Sequence, residues 1–366
     1  MKHFFICGLV VLLVFACKKK QENKETEVSF TCSNLKPEPK GNRIIGLDLL
    51  NTNENGTFEN NISHAKDLGA EFLALHLNWT SIEQTPNAYS DPGNALYLLN
   101  QSAKINNLKF SLTIRPIDLT GKTVPADLDS MRFNDTHMIN RFKKVVDFVF
   151  DRVDANILLN LQIGNEIDKY DFSKEHPDFW ADYGVFLNAL RNHIKLKNNN
   201  VNVSFTGTLE GMLTNKTRFN LLAKNMDHIG VTYYPLKENF DVKKPDDAMA
   251  TINTFVQAFD SKPIYFQELG YQTSESNSSS ETEQADFFCR FFKVWDTYKD
   301  KIRSVNILRL NDLSLEEAKK SAGPYGLSNP EFIEYLRTLG IRTYDGKGNN
   351  KKAFDVIKKN LAARNW

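Results

Sequence analysis

Eight short apolar runs recur along the chain, each followed by a longer stretch with apolar residues three and four positions apart. The runs are "RIIGLD" from Arg43, "FLALHL" from Phe72, "KFSLTI" from Lys109, "NILLNLQI" from Asn156, "VNVSFT" from Val201, "HIGVTY" from His228, "PIYFQE" from Pro263 and "SVNILRL" from Ser304. Between them lie stretches of helical period such as "INRFKKVVDFVFDRV", "DFWADYGVFLNALRNHI" and "EQADFFCRFFKVWDTY". Apolar strands alternating with amphipathic helices call for parallel strands covered by helices. Eight such units in roughly 250 residues have the size of a (β/α)8 TIM barrel, an α/β fold. An open doubly wound sheet is the rival, but no GxGxxG or P-loop follows an early strand.

The N-terminus reads differently. "MKHFFICGLVVLLVFACKKK" has a basic start, an apolar core from Phe4 to Phe15 and then Ala16-Cys17. The core is too short to span a bilayer comfortably and has the pattern of an export signal. Val14-Phe15-Ala16-Cys17 resembles the bacterial lipobox, which implies a lipidated Cys17 and a protein anchored at the cell envelope. Phe15 is bulkier than the usual residue there. Residues 18–40, "KKKQENKETEVSFTCSNLKPEPK", have the composition of a solvated tether. The expected organisation is therefore a signal over 1–17, a tether over 18–40 and one barrel over 41–366. Whether that barrel faces the periplasm or the exterior is open, and a tethered barrel can work as a monomer.

With 46 basic and 45 acidic residues, the chain has no global field directed at nucleic acid. There is no CxxC, HExxH or paired-histidine spacing, so no metal and no cofactor is expected. Of the four cysteines, Cys7 leaves with the signal and Cys17 takes the lipid. Cys32 and Cys289 could pair in an oxidising compartment, but with Cys32 in a flexible segment two independent thiols are the favoured expectation.

A barrel directs attention to the carboxyl ends of its strands. Those ends carry Asp48, then His76, Asn78 and Trp79, then Arg115, Asn165-Glu166, Tyr233-Tyr234, Glu268, and finally Arg309, Asn311 and Asp312. Two glutamates thus close strands four and seven, on nearly opposite sides of the barrel mouth. Facing carboxyls suit glycoside hydrolysis, in which one protonates the departing oxygen and the other attacks the anomeric carbon. Each has a plainer reading as well: Asn165-Glu166 as a helix cap, Glu268 as a turn residue before Gly270.

"LQIGNEI", "MDHIGVTYYPL" and "KPIYFQELGY" resemble the retaining clan A barrel glycosidases, and locally glycoside hydrolase family 53, the endo-β-1,4-galactanases. The resemblance implies Glu166 as general acid/base and Glu268 as nucleophile. It also implies that Asn165 bonds a sugar hydroxyl and that Tyr233 orients the nucleophile. The polysaccharide or oligosaccharide substrate would be of galactan type. Strand two departs from that family, and "NILRLND" stands where its strand eight carries a tryptophan. A mannan- or glucan-cleaving member of the clan and a non-catalytic glycan-binding protein on the same barrel are the alternatives.

Further expectations follow from the strand ends. Trp79 is offered as a sugar-stacking platform or a loop anchor, Asn78 as a substrate contact, and Arg115 either as a partner that holds the nucleophile ionised or as a surface salt-bridge partner. Glu210 and Asp168 are spare carboxylates near the mouth. His76 reads as a packed strand residue, and Trp180 and Trp295 as helix packing.

Overall fold

The computed structural model describes residues 36–49, 57–170, 175–344 and 348–366, all within one compact unit. The signal sequence, Cys17 and Cys32 lie outside the described residues. Eight parallel positions form the barrel: β1 (Ile44–Leu47), β2 (Phe72–Asn78), β3 (Lys109–Asp118), β4 (Leu158–Asn165), β5 (Asn202–Ser204 and Thr206–Thr208), β6 (Ile229–Tyr233), β7 (Ile264–Leu269) and β8 (Ile302–Ile307). Each falls on one of the eight runs read from the sequence. β8 pairs back onto β1 through Ile44 and Ser304, Ile45 and Val305. Closure on the other side goes through β5, whose first segment pairs with β4 and whose second pairs with β6. The ladder breaks between the two segments at Phe205, so the barrel is nearly closed.

Helices follow the strands in turn: α1 (Phe58–Leu68), α2 (Ala95–Asn106), α3 (Thr136–Phe150), α4 (Phe179–Lys197), α5 (Lys216–Ala223), α6 (Pro245–Ala258), α7 (Glu281–Thr297) and α8 (Lys352–Ala362). Local chemistry sets several of their starts. Thr57, Asp135 and Ser280 accept from backbone N–H groups in the first turns of α1, α3 and α7, satisfying donors that lack intrahelical acceptors. Their apolar faces bury Phe142, Val145 and Val149 on α3 and Phe288, Phe291 and Trp295 on α7. Among the described residues, no helix is long and apolar enough to cross a membrane.

The apolar runs conceal a second pattern. The Ser111 hydroxyl on β3 lies within hydrogen-bond distance of the side-chain amides of Asn160 on β4 (2.7 Å) and Gln267 on β7 (3.1 Å). β3 and β7 are not neighbours in the sheet, so the second contact passes through the barrel interior. Gln162 meets His228 there as well. The strands thus point amides and hydroxyls inward and aliphatic side chains outward to the helices. This interior is more polar than the branched aliphatic filling usual in such barrels. It remains tolerable because buried polar groups find one another.

Two features were not expected. Cys289 on α7 is disulfide-bonded, so it is not an independent thiol. The connection from β8 to α8 carries two helices of its own, α9 (Leu315–Ala322) and α10 (Pro330–Arg337). They form a separate small core from Leu313, Ala318, Phe332, Tyr335, Leu336 and Leu339, with Tyr234, Leu236 and Phe240 packed against it. This excursion roofs one side of the barrel mouth and is called the cap below. A buried ion pair secures its base: Lys351 donates to Asp312 (2.7 Å) and to Thr273 (3.0 Å).

Candidate active site

The carboxyl ends of the strands and the cap enclose a cleft of about 1010 Å³. Glu166 and Glu268 both line it. The backbone brings Glu166 there through a special turn. Gly164 has φ +89, and a Cβ on it would lie 2.5 Å from the Tyr183 hydroxyl, so only glycine fits. Glu166 itself sits in the left-handed region at φ 45, ψ 45. A non-glycine residue held there stores of order 1–3 kcal/mol, a kind of strain that clusters at functional sites.

Glu268 reaches the cleft by a different device. The β6–β7 ladder pairs Val231 with Phe266 but Thr232 with Glu268, leaving Gln267 as the extra residue of a bulge. Two successive side chains therefore turn inward. Gln267 points down to Ser111, and Glu268 points to the mouth. Gly270 then leaves room for Tyr234, since a Cβ there would lie 2.7 Å from its ring.

β6 holds both carboxylates. Thr232 donates to Glu166 Oε1 (2.7 Å) and Tyr234 donates to Glu268 Oε2 (2.5 Å). Thr232 is also the ladder partner of Glu268, so the end of β6 and the residue after it fix the two acids against each other. Their electrostatic settings differ. Burial, followed by the charge of Glu268, pushes the Glu166 carboxyl up to about 8. Burial also raises Glu268, but the Tyr234 hydroxyl and the Arg115 and Arg309 charges favour its ionised form. Burial and the neighbouring carboxylate thus both hold the proton of Glu166, while Tyr234, Arg115 and Arg309 work towards the ionised form of Glu268.

Around them lies a ring of unsatisfied polar atoms. Both ring nitrogens of His76, Asn78 Oδ1, Asn165 Oδ1, Arg115 Nε and Arg309 Nη1 are buried without a hydrogen-bond partner, and all six atoms belong to residues lining the cleft. Burial and the Arg115 charge lower His76 to about 4, so its imidazole is neutral. It stands 4.0 Å from Glu268 Oε1. Buried orphan polar atoms are rare, and converging on one cleft they ask for a polar ligand.

The structure brings most of the sequence-derived residues together. Asn165 donates to Asp118 (3.3 Å), and Asp118 also pairs with Arg115 (2.9 Å). Asn78 and Arg115 are ladder partners on β2 and β3. Tyr233 and Trp79 stand apart from the cleft. Tyr233 points outward from β6 and donates to the Ala248 carbonyl on α6 (3.3 Å), so the role read for it falls to Tyr234, one residue later. Trp79 is 0% exposed, donates to Glu83 (2.8 Å) and meets Phe142 edge-on at 4.9 Å, which makes it a loop anchor. Asp168 is occupied by the Thr208 backbone N–H and hydroxyl (both 2.6 Å), and Glu210 by Lys243 (3.0 Å).

Sequence reasoning missed Thr232, Asp118 and the cap. Tyr325 lines the cleft from the cap with 41% of its surface open, and Tyr335 packs edge-on against Tyr234 at 5.9 Å. The aromatic surface absent from the end of β8 is thus supplied from further along the chain. Among the described residues, no group of three or more His, Cys, Asp or Glu side chains is arranged to hold a metal.

No protein-family model matches the chain, and no curated protein matches its sequence. Solved structures resemble it in fold. A GH5_18 protein from Bifidobacterium longum subsp. longum, in complex with Manb1-4GlcNAc, is 13% identical, with a TM-score of 0.64 over 88% of this chain and 78% of its own. The Ignisphaera aggregans GH53 catalytic domain is 16% identical, with a TM-score of 0.62 over 88% and 99%. The exo-beta-1,4-mannosidase Op5Man5 from Opitutaceae bacterium strain TAV5 is 15% identical, with a TM-score of 0.61 over 88% and 59%. Several glycoside hydrolase families are represented among these structures, and what this chain shares with them is the (β/α)8 barrel.

Proposed function

We propose that the protein is a retaining β-glycoside hydrolase. The observation that carries this reading is the pair Glu166 and Glu268, fixed by hydroxyls from the end of β6 and the residue after it at the mouth of a polar cleft and set apart in proton affinity. In the first step the Glu268 carboxylate attacks the anomeric carbon. The glycosidic C–O bond breaks as Glu166 gives its proton to the departing oxygen. In the second step Glu166 takes a proton from water, the water oxygen attacks the anomeric carbon, and Glu268 is released. Asn165, Asn78 and neutral His76 have the free hydrogen-bonding capacity to hold sugar hydroxyls in the meantime.

A β-galactan is the first substrate to try, on the resemblance carried by "LQIGNEI" and "KPIYFQELGY". A β-mannoside is the second reading, favoured by the β-mannosyl ligand and the mannosidase named among the similar folds. Non-catalytic glycan capture on the same barrel is the rival of another class. We place the protein at a bacterial cell envelope, anchored through Cys17. The disulfide at Cys289 supports export to an oxidising compartment.

The test is reducing-sugar release by the soluble body on β-galactans, mannans, glucans and xylans, with Glu166→Ala and Glu268→Ala alongside. Cleavage of one polymer, lost in both variants, is expected. Tight binding of a polymer without turnover would make the protein a glycan-capture module instead.

A further inference from the structure

Arg309, half-buried at the cleft, is held differently from most of the buried arginines; among these Arg342 is the exception, bonding Asn350 Oδ1 and the Gly348 carbonyl. Arg43, Arg141 and Arg364, each at most 4% exposed, all donate to a carboxylate: Arg43 and Arg364 to Asp296, Arg141 to Glu83. That is the usual condition for a guanidinium taken out of water. Arg309, just past the end of β8, lines the cleft; among the described residues it has no carboxylate within ion-pair distance, and its Nη1 is buried without an acceptor. It is near enough for its charge to act on Glu268, yet it does not bond to it. Arg115, across the mouth on β3, spends Nη1 on Asp118 and leaves Nε without a partner.

We propose that Arg309, with Arg115 Nε opposite, forms a subsite for an anionic group, a carboxylate or sulfate ester, on the sugar ring seated against Glu268. This rests on the glycosidase reading for the ligand being a carbohydrate and deepens it by naming the substrate as an acidic glycan. The chemistry is that of an anion receptor. A guanidinium presents a planar fork of N–H donors that suits two oxygens of one anion. A half-buried fork that lacks a protein carboxylate and has Nη1 shut off from solvent is open to an acceptor brought by a ligand. The neutral groups available for recognition, His76 and Asn78, sit on β2 beside Arg115 and would bind hydroxyls of the same ring. A plainer role for Arg309, holding Glu268 ionised, makes a different forecast and is separable.

The experiment is calorimetric binding to the Glu166→Gln protein, with no turnover required. Probes are methyl β-glycosides of the gluco, galacto and manno series, each as the neutral hexoside, the hexuronide and the 6-sulfate. One acidic member is expected to bind about 10- to 100-fold tighter than its neutral counterpart. Whether that member is the hexuronide or the 6-sulfate identifies the anion. Arg309→Met should erase the advantage while leaving neutral binding in place, and Arg309→Lys should retain part of it. Equal binding of acidic and neutral sugars, or an Arg309→Met loss shared by both, would overturn the proposal. An acid preference without hydrolysis by the wild-type protein would count against the glycosidase reading and leave the subsite standing. Hydrolysis without an acid preference would do the reverse.

Discussion

Glu83 and the Glu166–Glu268 pair are carboxylates set into the same barrel and kept in opposite ways. Glu83 is 0% exposed and fully occupied: Arg141 donates from Nε (2.8 Å), Trp79 from its indole N–H (2.8 Å) and Asn87 from its backbone (2.6 Å). Arg141 in turn binds Asp127 (2.6 Å). Every charge there has a partner, and the cluster anchors the turn after β2. Glu166 and Glu268 receive one hydroxyl each and no bonded cation, and they open onto a cleft. A carboxylate that arginine neutralises and bonds completely contributes to architecture. One left short of partners, beside another acid, can change its protonation during a reaction.

The difference is sharpest in activity. Glu268→Ala removes the proposed nucleophile and should cost more than Glu166→Ala, for which loss of the proposed acid/base assistance is worth about 10²–10⁴-fold in kcat. Both variants should keep the wild-type melting temperature or exceed it. Arg141→Ala should do the opposite: about 3–5 kcal/mol of stability lost by stranding Glu83, seen as a lower Tm, with kcat per folded molecule unchanged. A catalytic defect in folded Arg141→Ala, or collapse of Glu166→Ala, would erase the distinction.

Smaller effects test how each acid is tuned. Tyr234→Phe deletes the donor that favours ionised Glu268. It should lower kcat/KM about 10- to 100-fold and move the acid limb of the pH profile upward. Activity needs Glu166 protonated, so it should fall as pH rises through about 8. Thr232 bonds the ionised form of Glu166, so Thr232→Val should shift that basic limb higher still. Stability carries the same sign. A carboxyl raised in the folded state contributes stability that is fully present below its unfolded value, about 4.5, and is lost as pH rises through about 8. Glu166→Gln should therefore gain Tm relative to wild type above pH 8.

The comparison also shows what the sequence could disclose. The eight strands and the two glutamates were legible because a strand run and its terminal residue are local features. The facing of individual side chains was not. Alternation along β6 sends Thr232 and Tyr234 inward and Tyr233 outward, and a shift of one residue decided between neighbouring tyrosines. The bulge at Gln267 depends on pairing with β6 and leaves no mark in "PIYFQELGY". Trp79 turned into the core because Glu83 and Phe142, one near and one distant in sequence, were waiting for it. The cap went unread: nothing in "LSLEEAKKSAGPYGLSNPEFIEYLRTL" says that it folds back over the mouth.

The central claim is that Glu268 forms the covalent bond to sugar. Incubation with a panel of 2-deoxy-2-fluoro-β-glycosyl fluorides, followed by intact mass and peptide mapping, tests it directly. One glycosyl adduct per chain on the peptide containing Glu268, absent when Glu268→Gln is treated identically, is expected. A stable adduct on another residue, or turnover of a natural substrate with inversion at the anomeric carbon, would contradict it.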